Sequence, residues 1–444
     1  MDRPVPQDAP EPDHLCPDEV PAVAAWAGSP RPRGSWRLLV DRVFGPYILG
    51  KFMGTAGIWV FNIAAAIVAF QLTASAFVVG LVSVAQFAPQ LVLAPLSGAM
   101  ADRGDRRHQI VAGRIVIAIG SGGLAGWLTL TGLGGLPGAW PVVLAAFVVG
   151  MGFVVGGPAM NALVPTLVRP HELATAIGLN NVPVTVARTV GPAVGAVLVA
   201  AVSPAAAFAV AALCNLVFAL IVATLPISGR VLRPSGTDGR VRAGLRHLTR
   251  DPTLIVLLVG VAAVAFGSDP AITLAPSLST DLGHGTDLVG LLVTVFGVGS
   301  ILAFPVMAFV RNRFGEQVVT TSGLCLMASG LLAVGLARTA VVACITLGVA
   351  GAGMMMGLTS LSTQIQLRLP DYIRGRVMAL WAVAFLGSRP LASAVDGLIA
   401  DLVSVQAALT VAALVVAVTA WWSRPSRIAP IPAEVRDSLR SAGA

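Results

Sequence analysis

The chain has 444 residues, 56% of them hydrophobic and only 11% charged, with a net charge of +8 and a mean hydropathy of +0.84. No ordinary soluble domain reaches that hydropathy, and the positive charge is no nucleic-acid footprint, because it lies in the short connections between apolar runs. Those runs have to be helices: in lipid each segment satisfies its own backbone, and the runs lack the two-residue alternation of a barrel strand.

Residues 1–41 are rich in Pro, Asp and Glu and hold no apolar core of signal-peptide length, which reads as a disordered cytoplasmic tail. About twelve runs then reach span length at ~20 residues each. They are 46–70, 76–100, 109–131, 140–163, 174–200, 205–225, 253–276, 287–310, 317–336, 340–366, 376–400 and 404–422. The first six form an N-terminal bundle over 42–226, and 227–252 is a basic cytoplasmic linker. The last six form a C-terminal bundle over 253–424, followed by a cytoplasmic tail over 425–444.

Arginines gather before the first run, between the second and third, between the sixth and seventh, and after the last. The alternate connections 71–75, 132–139, 201–204, 277–286 and 401–403 carry no Lys or Arg, and Arg338 is the one departure on that side. The positive-inside rule then places both termini on the cytoplasmic side of a multi-pass protein of the cell (inner or cytoplasmic) membrane. Cys16, Cys214, Cys325 and Cys344 are scattered and read as small apolar filler, not as a redox or metal pair.

The two halves repeat weakly. Leu167-Val-Arg-Pro-His-Glu ends the fourth run and Leu367-Arg-Leu-Pro-Asp-Tyr the tenth, while Gly191-Pro192 in the fifth matches Arg389-Pro390 in the eleventh. Pro95 to Arg103 matches Pro305 to Arg313, with Asn312 in place of Asp102. Two six-helix halves in the same orientation are the layout of a parallel-repeat transporter.

On these residues the chain resembles the major facilitator superfamily. Gly98-Ala-Met-Ala-Asp102-Arg103-Gly-Asp-Arg106-Arg107 resembles its signature Gly-x-x-x-Asp-Arg-x-x-Arg-Arg between the second and third spans. Arg188-Thr-Val-Gly191-Pro192-Ala-Val-Gly195 resembles the antiporter motif of its drug exporters. Pro158 to Pro165, Gly244 to Pro252 and Gly375-Arg-Val-Met-Ala narrow the likeness to the branch with enterobactin-exporter and macrolide-efflux-type proteins. The resemblance covers about 42–424 and implies an all-α integral membrane protein with twelve transmembrane helices in two six-helix pseudo-repeats, the major facilitator fold. It also implies alternating access around a central cavity, usually with proton antiport. The chain departs from the family in two places. Gly57-Ile58-Trp59 stands where the branch often has Gly-Asp-Trp, and Phe147 to Phe153 lacks the arginine common in the fourth span. Coupling therefore has to lie elsewhere.

Gly98 allows a close helix approach, Asp102 would face the N-terminus of the eleventh span, and Arg103, Arg106 and Arg107 would pair with loop acids, together forming a conformational latch. The alternative is charge that only fixes topology. Ionisable groups inside spans are functional candidates by default. Arg188 and Arg389 sit at near-equivalent positions in the halves and would suit a carboxylate or phenolate, with Arg188 alternatively bracing carbonyls freed around Pro192. Asp269, in the outer half of the seventh run, is the candidate coupling carboxylate, and Asp396 lies in the outer part of the eleventh; outer-end solvation or a latch on the outer side is the alternative for both. Trp59, Asn62 and Asn161 are candidate cavity residues, with Met160, Met354, Met355, Met356, Gln364, Gln86 and Gln90 as weaker ones.

There is no phosphate-binding Gly-x-x-x-x-Gly-Lys-Ser/Thr loop, no metal-ligand spacing and nothing that requires a cofactor, so an enzyme is not expected. The expected function is a secondary active transporter, a monomer exporting a drug-like or secondary-metabolite small molecule against protons. A siderophore exporter of the same fold is the nearer alternative, and a non-transporting membrane sensor or scaffold the farther one.

Overall fold

The computed structural model describes residues 35–93, 96, 97, 100, 104–169, 172–226, 252–369 and 371–424, and every regular element among them is helical. The tails before 35 and after 424, most of the linker, and Gly98, Asp102 and Arg103 of the expected latch lie outside the described residues.

The helices are α1 (Ser35–Leu39), α2 (Phe44–Thr73), α3 (Ala76–Val92), α4 (Arg106–Thr131), α5 (Trp140–Leu163), α6 (Leu173–Ala201) and α7 (Pro204–Thr224). They continue with α8 (Pro252–Ser268), α9 (Pro270–Thr273), α10 (Ala275–Asp281), α11 (Val289–Phe314), α12 (Glu316–Gly335), α13 (Ala340–Leu367), α14 (Asp371–Leu402) and α15 (Val405–Trp422). Eleven described helical stretches are long and apolar enough to cross a membrane; α3 has 17 described residues, about 25 Å, and makes the twelfth run. The run expected at 76–100 thus reads as helix only to Val92, with Pro89 inside it.

Hydroxyl caps start four of the helices whose first turns lie away from the arginine clusters. Ser75, Ser203, Thr339 and Ser404 accept from the backbone N–H groups of Val78, Ala206, Val342 and Ala407. Such a cap satisfies a donor that the hydrocarbon would leave bare. At the arginine end Asp105 caps α4, accepting from the N–H groups of Arg107 and His108, with His108 Nδ1 2.9 Å from its other oxygen. Slight desolvation pushes the Asp105 carboxyl up, but the hydrogen bonds from His108 and Arg107 outweigh it and hold the group below its ordinary range.

The seventh run, expected as one helix over 253–276, is broken. α8 stops at Ser268, Asp269 precedes the single turn α9 without a side-chain capping bond, and α10 follows, with Pro270 and Pro276 each in the first turn of its piece. Proline lacks the N–H that would continue the ladder, so each piece has to restart.

Buried apolar side chains of the N-terminal half form two clusters, one around Phe61, Val149 and Phe208 and one around Tyr47, Leu163 and Phe218, and those from α8 to α15 form another around Leu257, Met327 and Val416. A small cluster joins them, with Ile63 and Ile67 of α2 against Ala275, Val289 and Val293. The halves also meet where α3 crosses α14 and α6 crosses α11. A Cβ on Gly397 would lie 2.6 Å from the Ala76 oxygen, and one on Gly297 would lie 2.9 Å from Thr189 Cα. The Ile63–Ile67 cluster and the Gly397 crossing lie toward the ends remote from the arginine clusters, and the Gly297–Thr189 contact lies mid-helix. Inside the N-terminal half α4 crosses α5 through Gly113 and Gly152, where a Cβ on either would lie 2.6 Å from the other's carbonyl oxygen. Gly152→Val is expected to destabilise the solubilised protein by ~1–3 kcal/mol, read as an earlier thermal melt with loss of monodispersity.

Candidate functional site

Close packing of α6 on α2 assembles the centre. A Cβ on Gly191 would lie 2.5 Å from that of Trp59, and one on Gly195 would lie 3.0 Å from Val60 Cα. The antiporter-type residues therefore act sterically, bringing Arg188, one turn earlier, onto the Trp59 ring at 5.6 Å. Pro192, inside α6, leaves a carbonyl one turn back without its usual donor. Arg188 also donates to the Met354 sulfur at 3.1 Å, and its side chain is half-buried.

From the other half, Arg389 of α14 reaches the same indole. Its guanidinium carbon lies 6.0 Å from Trp59, 5.1 Å from Phe87 and 6.0 Å from Phe385. Phe385 stacks in turn on Trp381. Three ring faces thus hold one cation, and each contact is worth up to ~2 kcal/mol where water is excluded. Arg389 is 6% exposed, and its Nε and Nη2 have no hydrogen-bond partner among the described residues.

Asp269 faces this cage. It is 2% exposed, and its Oδ2 accepts from the Thr273 hydroxyl at 2.6 Å and the Ser393 hydroxyl at 2.8 Å. Asp269, Asn62, Gln86, Phe87 and Arg389 line one cavity of about 20 Å³, room for roughly one water molecule. The Asp269 and Arg389 charges attract across it, whereas Arg188 and Arg389 repel each other. Asp396, fully buried, lies within electrostatic reach of Asp269, and neither of its oxygens has a partner among the described residues. Both acids lie inside the protein, so the outer-end solvation considered from sequence does not apply.

The structure brings together Trp59, Asn62, Arg188, Asp269, Arg389 and Asp396, with Gln86 and Met354. Gln364 stands apart, donating to Thr320 at 2.6 Å inside the C-terminal half. Asn161 lies in α5, its side chain outside those described. Among the described residues, Arg106 and Arg107, expected to meet loop acids, donate to the main-chain carbonyls of Ala162 and Ala223. Those carbonyls sit at the ends of α5 and α7, where helices leave acceptors unfilled and the dipole is negative.

Sequence reasoning does not single out a second polar cluster. Lys51, 2% exposed, donates to Asn180 at 2.7 Å; Arg114, 3% exposed, donates to Asn215 at 3.1 Å and lies over Phe218 at 4.8 Å. Tyr47 closes the layer by donating to the Met160 carbonyl at 2.8 Å. The signal is present, since each cation sits inside an apolar run. Each is also within about 12 Å of a helix end, where basic residues usually reach for the interface.

Residues 33–441 match the family model described as a transmembrane secretion effector. The chain belongs to that family. Among its relatives, macrolide efflux protein A of Streptococcus pyogenes is 24% identical over 75% of this chain and 83% of its own length. The enterobactin exporter EntS of Salmonella choleraesuis is 25% identical over 79% of this chain and 84% of its own. The solved structure of a bacterial homologue of the lysosomal transporter Spinster, inward-facing and unoccupied, superposes with a TM-score of 0.68 at 14% identity, over 88% of this chain and 96% of the other. This secretion effector is therefore a multi-pass membrane protein with the major facilitator fold, a transporter and not an enzyme. The Asn180 and Asn215 amides accept from buried cations that no described acid neutralises. Asn180→Leu or Asn215→Leu is expected to destabilise the solubilised protein by ~1–3 kcal/mol, seen as a lower melting temperature.

Proposed function

We propose that this effector exports a flat, drug-like or secondary-metabolite molecule across the cytoplasmic membrane in exchange for protons. Both termini and the arginine clusters face the cytoplasm. The meetings between the halves then seal the external end, and substrate reaches Arg188 from the cytoplasm. Gly98, Asp102, Arg103, Arg106 and Arg107 act as the latch on the cytoplasmic side.

The observation that carries the reading is the Arg389 guanidinium resting on Trp59, Phe87 and Phe385 beside Asp269. Exchange requires that substrate and proton exclude each other. A neutral or cationic aromatic substrate competes with Arg389 for the ring faces. The displaced guanidinium moves onto the Asp269 carboxylate, and the ion pair so formed expels the proton. When the proton returns, Arg389 is released to its cage and the substrate is pushed off. A buried charge needs a partner or a proton, and Arg389 and the proton are the two alternatives for Asp269.

A siderophore substrate is the second reading, favoured by the unfilled Nε and Nη2 donors of Arg389, which suit catecholate or carboxylate oxygens. The coupling sign then reverses: an anion drawn to Arg389 leaves Asp269 to take up a proton, so substrate and proton move together and outward transport on this reading runs on the substrate's own gradient, not on that of the proton. Purified protein in unbuffered solution with a pH dye separates the two, since substrate acidifies the medium under the first and alkalinises it under the second.

Under the exchange reading, Asp269→Asn is expected to abolish accumulation driven by a pH gradient in everted vesicles while sparing substrate counterflow. Arg389→Gln is expected to keep binding but lose substrate-induced proton release, reducing a coupling of ~5–150-fold toward none. Full pH-driven accumulation in Asp269→Asn would sink the assignment.

A further inference from the structure

Beyond substrate and proton, the structure assigns a positioning residue for the transport cycle. Asp401, on the last turn of α14, belongs to the C-terminal half, yet its carboxylate caps a helix of the N-terminal half. Its Oδ1 accepts from the Ala76 N–H at 2.8 Å, and its Oδ2 accepts from the Phe77 N–H at 3.2 Å and from the Ser75 hydroxyl. The first turn of α3 has free donors and the positive end of the helix dipole, so a carboxylate there is held by charge as well as by hydrogen bonds. Ser75 meanwhile caps α3 itself, its hydroxyl accepting from the Val78 N–H at 3.2 Å.

The capping interaction sits on a backbone-to-backbone crossing. Gly80 of α3 packs on the Ser393 carbonyl, and a Cβ on Gly397 would lie 2.7 Å from Phe77 Cα. Ser393, Gly397 and Asp401 are four residues apart and wind slowly along one side of α14. Among the described residues, the other inter-half hydrogen bond at this end is neutral and single, Gln71 to Thr286 at 3.2 Å. The pseudo-equivalent stretch ending the fifth span, Ala200-Ala201-Val202-Ser203, carries no acid. We infer that the Asp401 carboxylate is the charged latch that holds the external end shut, and that its release from α3 is required for the outward-open state. On the sequence expectation, Asp102 holds the reciprocal place, past the C-terminal end of α3 and against the start of α14. The same two helices then carry one carboxylate latch at each end.

The inference rests on alternating access and on the side assignment above, and its test needs no substrate. Replace Cys16, Cys214, Cys325 and Cys344 by Ala, and introduce Ala66→Cys, which lines the central cavity. A membrane-impermeant maleimide applied to intact cells then reports access from outside. Asp401→Asn is expected to raise the labelling rate about tenfold, within the ~5–150-fold range of typical two-state coupling. Ser75→Ala should raise it less, and Asp401→Glu, which keeps the carboxylate, should stay near the parent rate. Labelling of a monodisperse Asp401→Asn protein at the parent rate overturns the latch. So does an equal rise in Asp401→Glu. As a second arm, Ser75→Cys with Asp401→Cys is bridged by a short bis-methanethiosulfonate, which releases two methanesulfinates as it forms two disulfides that dithiothreitol cleaves. The bridged protein is expected to resist external labelling at position 66 until the bridge is cut. Unchanged labelling of the bridged protein also overturns the proposal.

Discussion

A charge inside hydrocarbon has to be settled by an opposite charge, by dipoles and rings, or by a proton, and this chain relies on the last two. Lys51 and Arg114 are held by amides and an aromatic face, and Arg188 and Arg389 by indole, phenyl and thioether groups. Such partners do not neutralise a cation; they only lower the cost of burying it. A cation held in this way remains available to a carboxylate. On the proposed exchange, that availability makes Arg389 the movable element, poised between three rings and Asp269, where a tight ion pair would have been a fixed one.

The second constraint is steric. The helices that join the halves do so through glycine and alanine, so backbone lies nearly on backbone at Gly80, Gly297 and Gly397. Interfaces of this type have little side-chain slack. They are either seated or parted, which suits a rigid-body switch better than a gradual deformation. The same property explains why the antiporter-type glycines Gly191 and Gly195 abut Trp59 and Val60: they fix the indole between the two arginines.

Much of this is legible in the sequence. Length and hydropathy of the runs carry the helical architecture, and the rarity of charge within them points to Arg188, Asp269, Arg389 and Asp396. What periodicity does not supply is which faces meet. The cage around Arg389 draws Trp59, Phe87 and Phe385 from three helices, and no spacing rule links residues 59, 87 and 389. The break at Asp269 is written in Pro270 and Pro276, but membrane helices often absorb proline, so the run reads as continuous. Lys51 and Arg114 are hidden by their nearness to helix ends, and Asp401 by its place in an exposed last turn whose partner lies 325 residues away.

One helix links the chemistry to the gate. Along α14, Arg389, Ser393, Gly397 and Asp401 follow at intervals of four, about 18 Å from first to last. The Ser393 hydroxyl holds Asp269 while its carbonyl seats Gly80, and Asp401 caps α3 two turns further on. A guanidinium that leaves its rings for Asp269 therefore acts on the helix whose far end holds the halves together. Because α14 is a continuous helix from Asp371 to Leu402, a displacement at the cage is carried to the latch without passing through a loop. Pro390, immediately after Arg389, marks the place where that helix has lost a backbone donor and where bending costs least. On the proposed cycle, the cation that senses substrate thus sits at the softest point of the element that closes the external side.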